Sequence, residues 1–139
     1  MNLKDLPFPI HGDTSFRCKC PPETVEQASF FAKLRREYPD TWGMLALHPR
    51  NEGLKINGQF SAVQKHRAEG MTVGASDIII PARVALVCEM KRRDHTKSAW
   101  QAGQVEYLTA AHDAGAFACV ALGWESAWEA FEEWINIQR

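Results

Sequence analysis

Asp77, Glu89 and Lys91 are the residues from which a chemical reading starts. They lie in the stretch SDIIIPARVALVCEMKRRD, residues 76–94, where two apolar runs flank Pro81-Ala82-Arg83. Side chains alternate along a strand, so Val84, Leu86, Cys88 and Met90 share one face, and Ala85, Val87, Glu89 and Lys91 share the other. Both faces are apolar until Glu89. This predicts a strand covered on both sides, with an acid and a base projecting from its C-terminal end. Charges placed there need partners. A three-residue hairpin loop at 81–83 sets Asp77 opposite Val87 and on the face of Glu89, with the two acids' Cα atoms about 7–8 Å apart. A two-residue loop sends the two acids to opposite faces.

Two carboxylates near one point suit Mg²⁺ or Mn²⁺, which prefer carboxylate, carbonyl and water oxygens. An ion there polarises a phosphoryl oxygen and acidifies a bound water. The lysine beside it holds the attacking water or balances charge at phosphorus. A plain Glu89–Lys91 salt bridge at a strand end is the competing reading. The aspartate one hairpin earlier puts the two on about equal footing.

The elements that must position these residues follow from patterning. Residues 1–21 carry Pro7, Pro9, Gly12 and Pro21 with little periodicity and read as an irregular arm; residues 22–139 read as one domain. Pro21-Pro22 opens a helix that runs to about Tyr38, with Val25, Ala28, Phe31, Ala32 and Leu34 or Arg35 as its buried stripe. A short strand is expected at Met44–Leu47. A helix is expected at Gln59–Ala68, capped by Asn57. After the strands Ile78–Ile80 and Val84–Met90 come a helix over Ser98–Ala114, a strand over Ala116–Leu122, and a last helix capped by Ser126. Gln101, three residues after Ser98, fits a capping box. Gln104 is polar on an otherwise packing face and needs a partner, which makes it the better functional candidate. The order describes an α/β domain with a mixed sheet.

The chain has 139 residues, enough for one domain with its own core, and no apolar run long enough to span a membrane. A net charge of −1 excludes a large uniform basic surface. Local patches stay available for phosphates: Lys65-His66-Arg67, and Arg92-Arg93 with Lys97. Cys18 and Cys20 form a C-x-C pair without a second pair to complete a zinc site, so reduced thiols in a cytoplasmic setting are expected.

Taken in order, the pieces resemble the PD-(D/E)XK nuclease superfamily, and within it the small stand-alone VRR-NUC domains of phages and bacteria. The pieces are Glu26-Gln27, His48-Pro49-Arg50-Asn51-Glu52-Gly53, Gly70 and Gly74 before Ser76-Asp77, Glu89-Met90-Lys91, and Gln104. The resemblance spans residues 22–137. It implies a restriction-endonuclease-like αβββαβ core and a Mg²⁺- or Mn²⁺-dependent DNA endonuclease. The metal ligands would be Asp77, Glu89, the Met90 carbonyl and Glu26, with Lys91 catalytic and Gln104 near the metal or the phosphate. Arg50 and Asn51 fall in a loop that would lie along DNA. Ser76 stands where the family usually has proline, which loosens the turn but removes no ligand.

The resemblance also implies branched or four-way junction DNA as substrate and a homodimer acting in a bacterial cell or phage-infected host, with a helicase or recombination protein as candidate partner. Trp124, Trp128, Phe131 and Trp134 supply aromatic surface for a two-fold contact, or else all pack inward. A nuclease fold that only binds DNA, as a subunit of a larger replication or recombination assembly, is the alternative; intact Asp77, Glu89 and Lys91 argue against it.

Overall fold

The strand Leu86–Lys91 (β3) is the element around which the others are laid down, and all six of its residues are buried. The computed structural model describes residues 2–49 and 60–138, and for 60–63 the backbone alone. β3 pairs on one side with Ile78–Ile80 (β2, antiparallel) and on the other with Phe117–Leu122 (β4, parallel). The arm before the first helix adds Ile10–His11 (β1) parallel to β4, so the sheet order is β1-β4-β3-β2. A segment expected to be irregular therefore closes one sheet edge and buries Leu3 and Phe8.

Helices cover both faces. Glu23–Glu37 (α1) and Trp124–Ile137 (α5) pack on the face carrying Ile78, Ile80, Leu86, Cys88 and Met90. Gln104–Asp113 (α4) packs Leu108 against Val87, Ala118 and Val120 on the opposite face. Trp42–Leu45 (α2) is a single turn against α1, and Phe60–Ala68 (α3) precedes β2. The result is the expected α/β domain, a mixed sheet flanked by helices.

The hairpin register is the detail that matters most for the site. Ile80 pairs with Leu86 and Ile78 with Cys88, so the loop is the five residues 81–85, not three. Five and three have the same parity, which keeps Asp77 on the face of Glu89. Continued by one residue, the register sets Asp77 directly opposite Glu89 rather than diagonal to it. The loop is pinned from α5: Trp134 Nε1 and Gln138 Nε2 both donate to the Val84 carbonyl, at 2.6 and 3.1 Å.

Several local expectations give way to packing. Residues 44–47 do not form a strand; α2 takes Met44 and Leu45, and Leu47 makes only a single antiparallel bridge to Ile79. Gly43 lets this turn approach α1, where a Cβ would lie 2.8 Å from the Arg35 Cα, and Trp42 stacks edge-on against Trp134. The buried stripe of α1 is rotated from the expected one: Glu26, Phe30, Phe31 and Leu34 are inside, while Val25, Ala28 and Ala32 are exposed. Ser98 does not cap a helix. A 3₁₀ turn at His95–Lys97 is followed by an irregular stretch, and α4 begins only at Gln104 after Gly103 in the left-handed region (φ 88°). The last helix likewise starts at Trp124, before Ser126. Its Phe131 and Trp134 are fully buried, and Trp124 and Trp128 pack partly buried against the same core, so the aromatics are used within the chain. The Asn57 cap lies outside the described residues.

Gly74 holds the loop before β2 against the start of α4. It has φ +81°, and a Cβ there would meet the Gly103 carbonyl carbon at 2.1 Å. Gly74→Ala is expected to lower unfolding free energy by about 2–3 kcal/mol in a denaturant titration, from strain and collision together. A value near zero would show that the two loops do not touch in solution.

Candidate active site

Topology gathers several element ends at one edge of the sheet. β3 and β4 run parallel and end there, and antiparallel β2 begins there. α4 leaves from the end of β3, and α5 from the end of β4, so their N-termini face the same edge, where open α/β sheets hold ligands. Asp77 enters from the start of β2. Glu89 and Lys91 come from the end of β3. Gln104 is the first residue of α4.

The side chains form a closed set. Gln104 Nε2 donates to Glu89 Oε1 at 2.8 Å, and Gln104 Oε1 accepts from Lys91 Nζ at 2.9 Å. Lys91 Nζ also donates to the Ala99 carbonyl at 2.9 Å, sits 3.6 Å from Glu89 Oε1, and lies 4.4 Å from the centre of the Trp100 ring. The Gln101 N–H donates to Gln104 Oε1, so the loop before α4 is folded onto the same amide. This explains why the helix starts late: the stretch 98–103 is spent wrapping Lys91, which is 1% exposed. Asp77 Oδ2 accepts from the Met90 N–H at 2.9 Å, and His48 Nδ1 lies 2.9 Å from the Asp77 carbonyl, bracing the strand start.

The electrostatics are unbalanced in a particular way. Burial first, and then the facing Asp77 carboxylate, push the Glu89 carboxyl up to about 10, against the pull of Lys91. Glu89 Oε2 is buried and has no hydrogen-bond donor. Lys91 balances Glu89 from 3.6 Å, and a further positive charge beside the pair would relieve the repulsion that remains. The residues fit a divalent ion held by Asp77 and Glu89. No group of three or more His, Cys, Asp and Glu side chains converges as a cage among the described residues. A two-carboxylate site completed by a carbonyl and waters suits a hard cation that keeps part of its hydration shell.

Of the two glutamates in the first turn of α1, Glu23 is the one whose charge is coupled to Asp77 and Lys91. Glu26 is buried on the other side of the sheet, where its Oε2 accepts from the Trp124 N–H and caps α5 beside Gly123. Glu23, one helical turn earlier, is the residue whose carboxyl feels Asp77 and Lys91; burial leads in raising its pKa, with Asp77 adding and Lys91 opposing. Ser98 also opposes that rise, and its hydroxyl accepts from the Arg92 N–H. Pro21-Pro22 starts the helix at Glu23 and so puts both glutamates in its first turn, which the sequence pattern does not separate.

The cations expected to meet nucleic acid are divided. Lys65 and Arg67 are exposed on α3. Arg92 and Lys97 donate to backbone carbonyls of the arm. Arg93 stacks on Phe16, 4.6 Å from the ring centre, and lines a cavity of about 480 Å³ whose wall includes Asp13, Glu125 and Glu129; of the set, its surroundings suit a phosphate least. Arg50 and Asn51 lie outside the described residues.

One structure, described as a VRR_NUC domain protein, superposes with a TM-score of 0.68 at 18% identity, covering 86% of this chain and 92% of that one. The chain has the VRR-NUC fold. No family model and no curated protein matches the sequence.

The two α1 glutamates are expected to behave in opposite ways. Glu26→Ala should lower stability by about 1–2 kcal/mol, as lost N-caps do, and leave Mn²⁺ affinity unchanged in calorimetry. Glu23→Gln should leave the thermal midpoint nearly unchanged and weaken Mn²⁺ binding about 10–100-fold, the usual effect of losing an outer-sphere partner. The reverse pattern would return Glu26 to the site.

Proposed function

We propose that the protein is a Mg²⁺- or Mn²⁺-dependent endodeoxyribonuclease that hydrolyses phosphodiester bonds. The observation that carries the reading is the Asp77–Glu89 pair, with its donorless Glu89 oxygen, joined through Gln104 to a buried lysine. Asp77 and Glu89, with the Met90 carbonyl, would hold the ion, and Glu23 adds a carboxylate at the rim. When bound, the ion supplies Lewis acidity at a phosphoryl oxygen and lowers the pKa of its water.

The chain's own residues do the rest. Gln104 fixes Glu89 and Lys91 relative to each other, since one amide bonds both. Lys91, with Ala99 and Gln104 setting its direction, presents an ammonium that balances charge growing on phosphorus as water attacks. Trp100 covers the ammonium and keeps bulk water from it, which strengthens that interaction.

Selectivity for branched or four-way DNA and action as a homodimer belong to this proposal through the sequence resemblance. The aromatics of α5 do not support the dimer, because they pack within one chain. Cleavage of a four-way junction against linear duplex, with light scattering at micromolar concentration, tests both; a monomer that cuts the two substrates equally removes them.

The central test is an assay of duplex, flapped, branched and single-stranded DNA with Mg²⁺, Mn²⁺ or EDTA. Cleavage should require the cation, and Glu89→Gln should abolish it while retaining DNA binding. A Glu89→Gln variant of near-normal activity sinks the site assignment. DNA binding by the wild-type protein without cleavage in either metal would leave a binding subunit instead. Gln104→Ala should cut the turnover rate about 100-fold, because it frees both Glu89 and Lys91, with little change in DNA affinity. Single-turnover kinetics separates the two quantities.

A further inference from the structure

The arm before α1 is strapped along the segment that leaves the catalytic strand. Arg92 donates from Nε to the Pro21 carbonyl at 3.1 Å and from Nη2 to the Cys20 carbonyl at 2.6 Å. Lys97 Nζ donates to the Cys18 carbonyl at 3.2 Å, and His95 Nε2 lies 3.1 Å from the Thr14 carbonyl. These bonds hold residues 14–21 alongside residues 92–97. The acceptors are neutral carbonyls, so the charges on Arg92 and Lys97 are not cancelled by them.

The arm brings cations of its own. Arg17 and Lys19 are exposed on the strapped stretch. Two acids act on Arg17: Asp94, 3% exposed, whose Oδ1 already accepts from the Thr96 N–H and hydroxyl and lies 3.9 Å from the guanidinium, and exposed Asp13. Arg17 itself donates to the Thr14 and Phe16 carbonyls, which are neutral. Four cations from two chain segments thus share one surface in a protein of net charge −1. That surface lies at the end of the strand that carries Glu89: Arg92 follows Lys91 in the chain, and its N–H reaches the Ser98 hydroxyl. Beyond Arg93 the character reverses, where Asp13, Glu125 and Glu129 line the cavity. A polyanion is attracted on one side of this boundary and repelled on the other.

We propose that Arg17 and Lys19 of the arm, together with Arg92 and Lys97, form a second phosphate-binding surface that grips the DNA backbone next to the scissile bond. The arm is then a substrate-binding element rather than a structural tail. The inference rests on the nuclease reading above. Backbone phosphates are the fitting ligand because three of the four cations are exposed and the fourth, Arg92, is half-exposed, and contacts of this kind position a strand without reading its sequence.

The test is fluorescence anisotropy on duplex DNA over a range of salt, with EDTA present, and cleavage kinetics with Mn²⁺. The proteins are the wild type, Lys19→Gln, the pair Arg17→Gln with Lys19→Gln, and Lys4→Gln, a surface cation elsewhere, as control. The pair should lose about ten-fold in affinity near 0.1 M salt, and its slope of log K against log salt should be shallower by about 2. Lys19→Gln alone, whose side chain is on the surface, should lower the slope by about 1. The control should change neither, and kcat at saturating DNA should stay at the wild-type value throughout. Affinity and slope for the pair equal to those of the control would overturn the proposal while leaving the nuclease reading intact. A fall in kcat at unchanged affinity would also overturn it, since the arm would then act through the loop around Lys91. A wild-type protein that neither binds nor cuts DNA removes the nuclease reading itself, and the arm's role with it.

Discussion

Two carboxylates facing each other across a hairpin repel, and burial makes the repulsion worse. The Asp77–Glu89 pair is this structure's central constraint, and much of what surrounds it is arranged to make it tolerable. Lys91 comes from the same strand, two residues on, so that its ammonium reaches Glu89. Gln104 offers an N–H to the acid and an oxygen to the base, which no apolar residue and no single charge could do. The Met90 N–H goes to Asp77 rather than to the ladder. Even so, one oxygen of Glu89 is left without a donor. A fold stabilised for its own sake would not keep that atom; a site that recruits a cation has a use for it.

The same constraint accounts for the shape of the chain between β3 and α4. A helix beginning at Ser98 would satisfy local patterning and leave Lys91 open to water. Instead the stretch 98–103 turns its Ala99 carbonyl and the Trp100 ring toward the ammonium, and the helix waits until Gln104. Gly74 and Gly103 let the loop before β2 close on this stretch from the other side. Regular structure is given up over a few residues in exchange for a defined position of one charge.

How much of this could be read from the sequence depended on the range of the interaction concerned. The strands β3 and β4 were plain, because continuous apolar runs bounded by turns have few alternatives. Asp77, Glu89 and Lys91 were legible as a group because strand alternation fixes faces, and the face survived although the loop was two residues longer than supposed. Gln104 was legible by its chemistry alone: a polar group on a packing face asks for a partner, wherever the helix happens to start. Glu26 and Glu23 were not separable in the same way. They are one turn apart on α1, and only the seating of α5 decides which of them meets the Trp124 N–H and which meets Asp77. Residues 44–47 were misread because the contact between Trp42 and Trp134, distant in sequence, outweighs local strand character.

The hairpin between β2 and β3 carries an evolutionary consequence. Its five loop residues are held from α5 by Trp134 and Gln138, and their number is odd. A residue added there and kept in the turn lengthens the loop and leaves the ladder, and with it the acid pair, unchanged. A residue taken up by the ladder instead slips β2 by one place, exchanges its two faces and sends Asp77 to the layer of Ile78. The buried Ile78 and Ile80 resist that slip, because it would turn both out of the core they fill. Related chains can therefore vary the length of this turn while the apolar face of β2 keeps the acids in register.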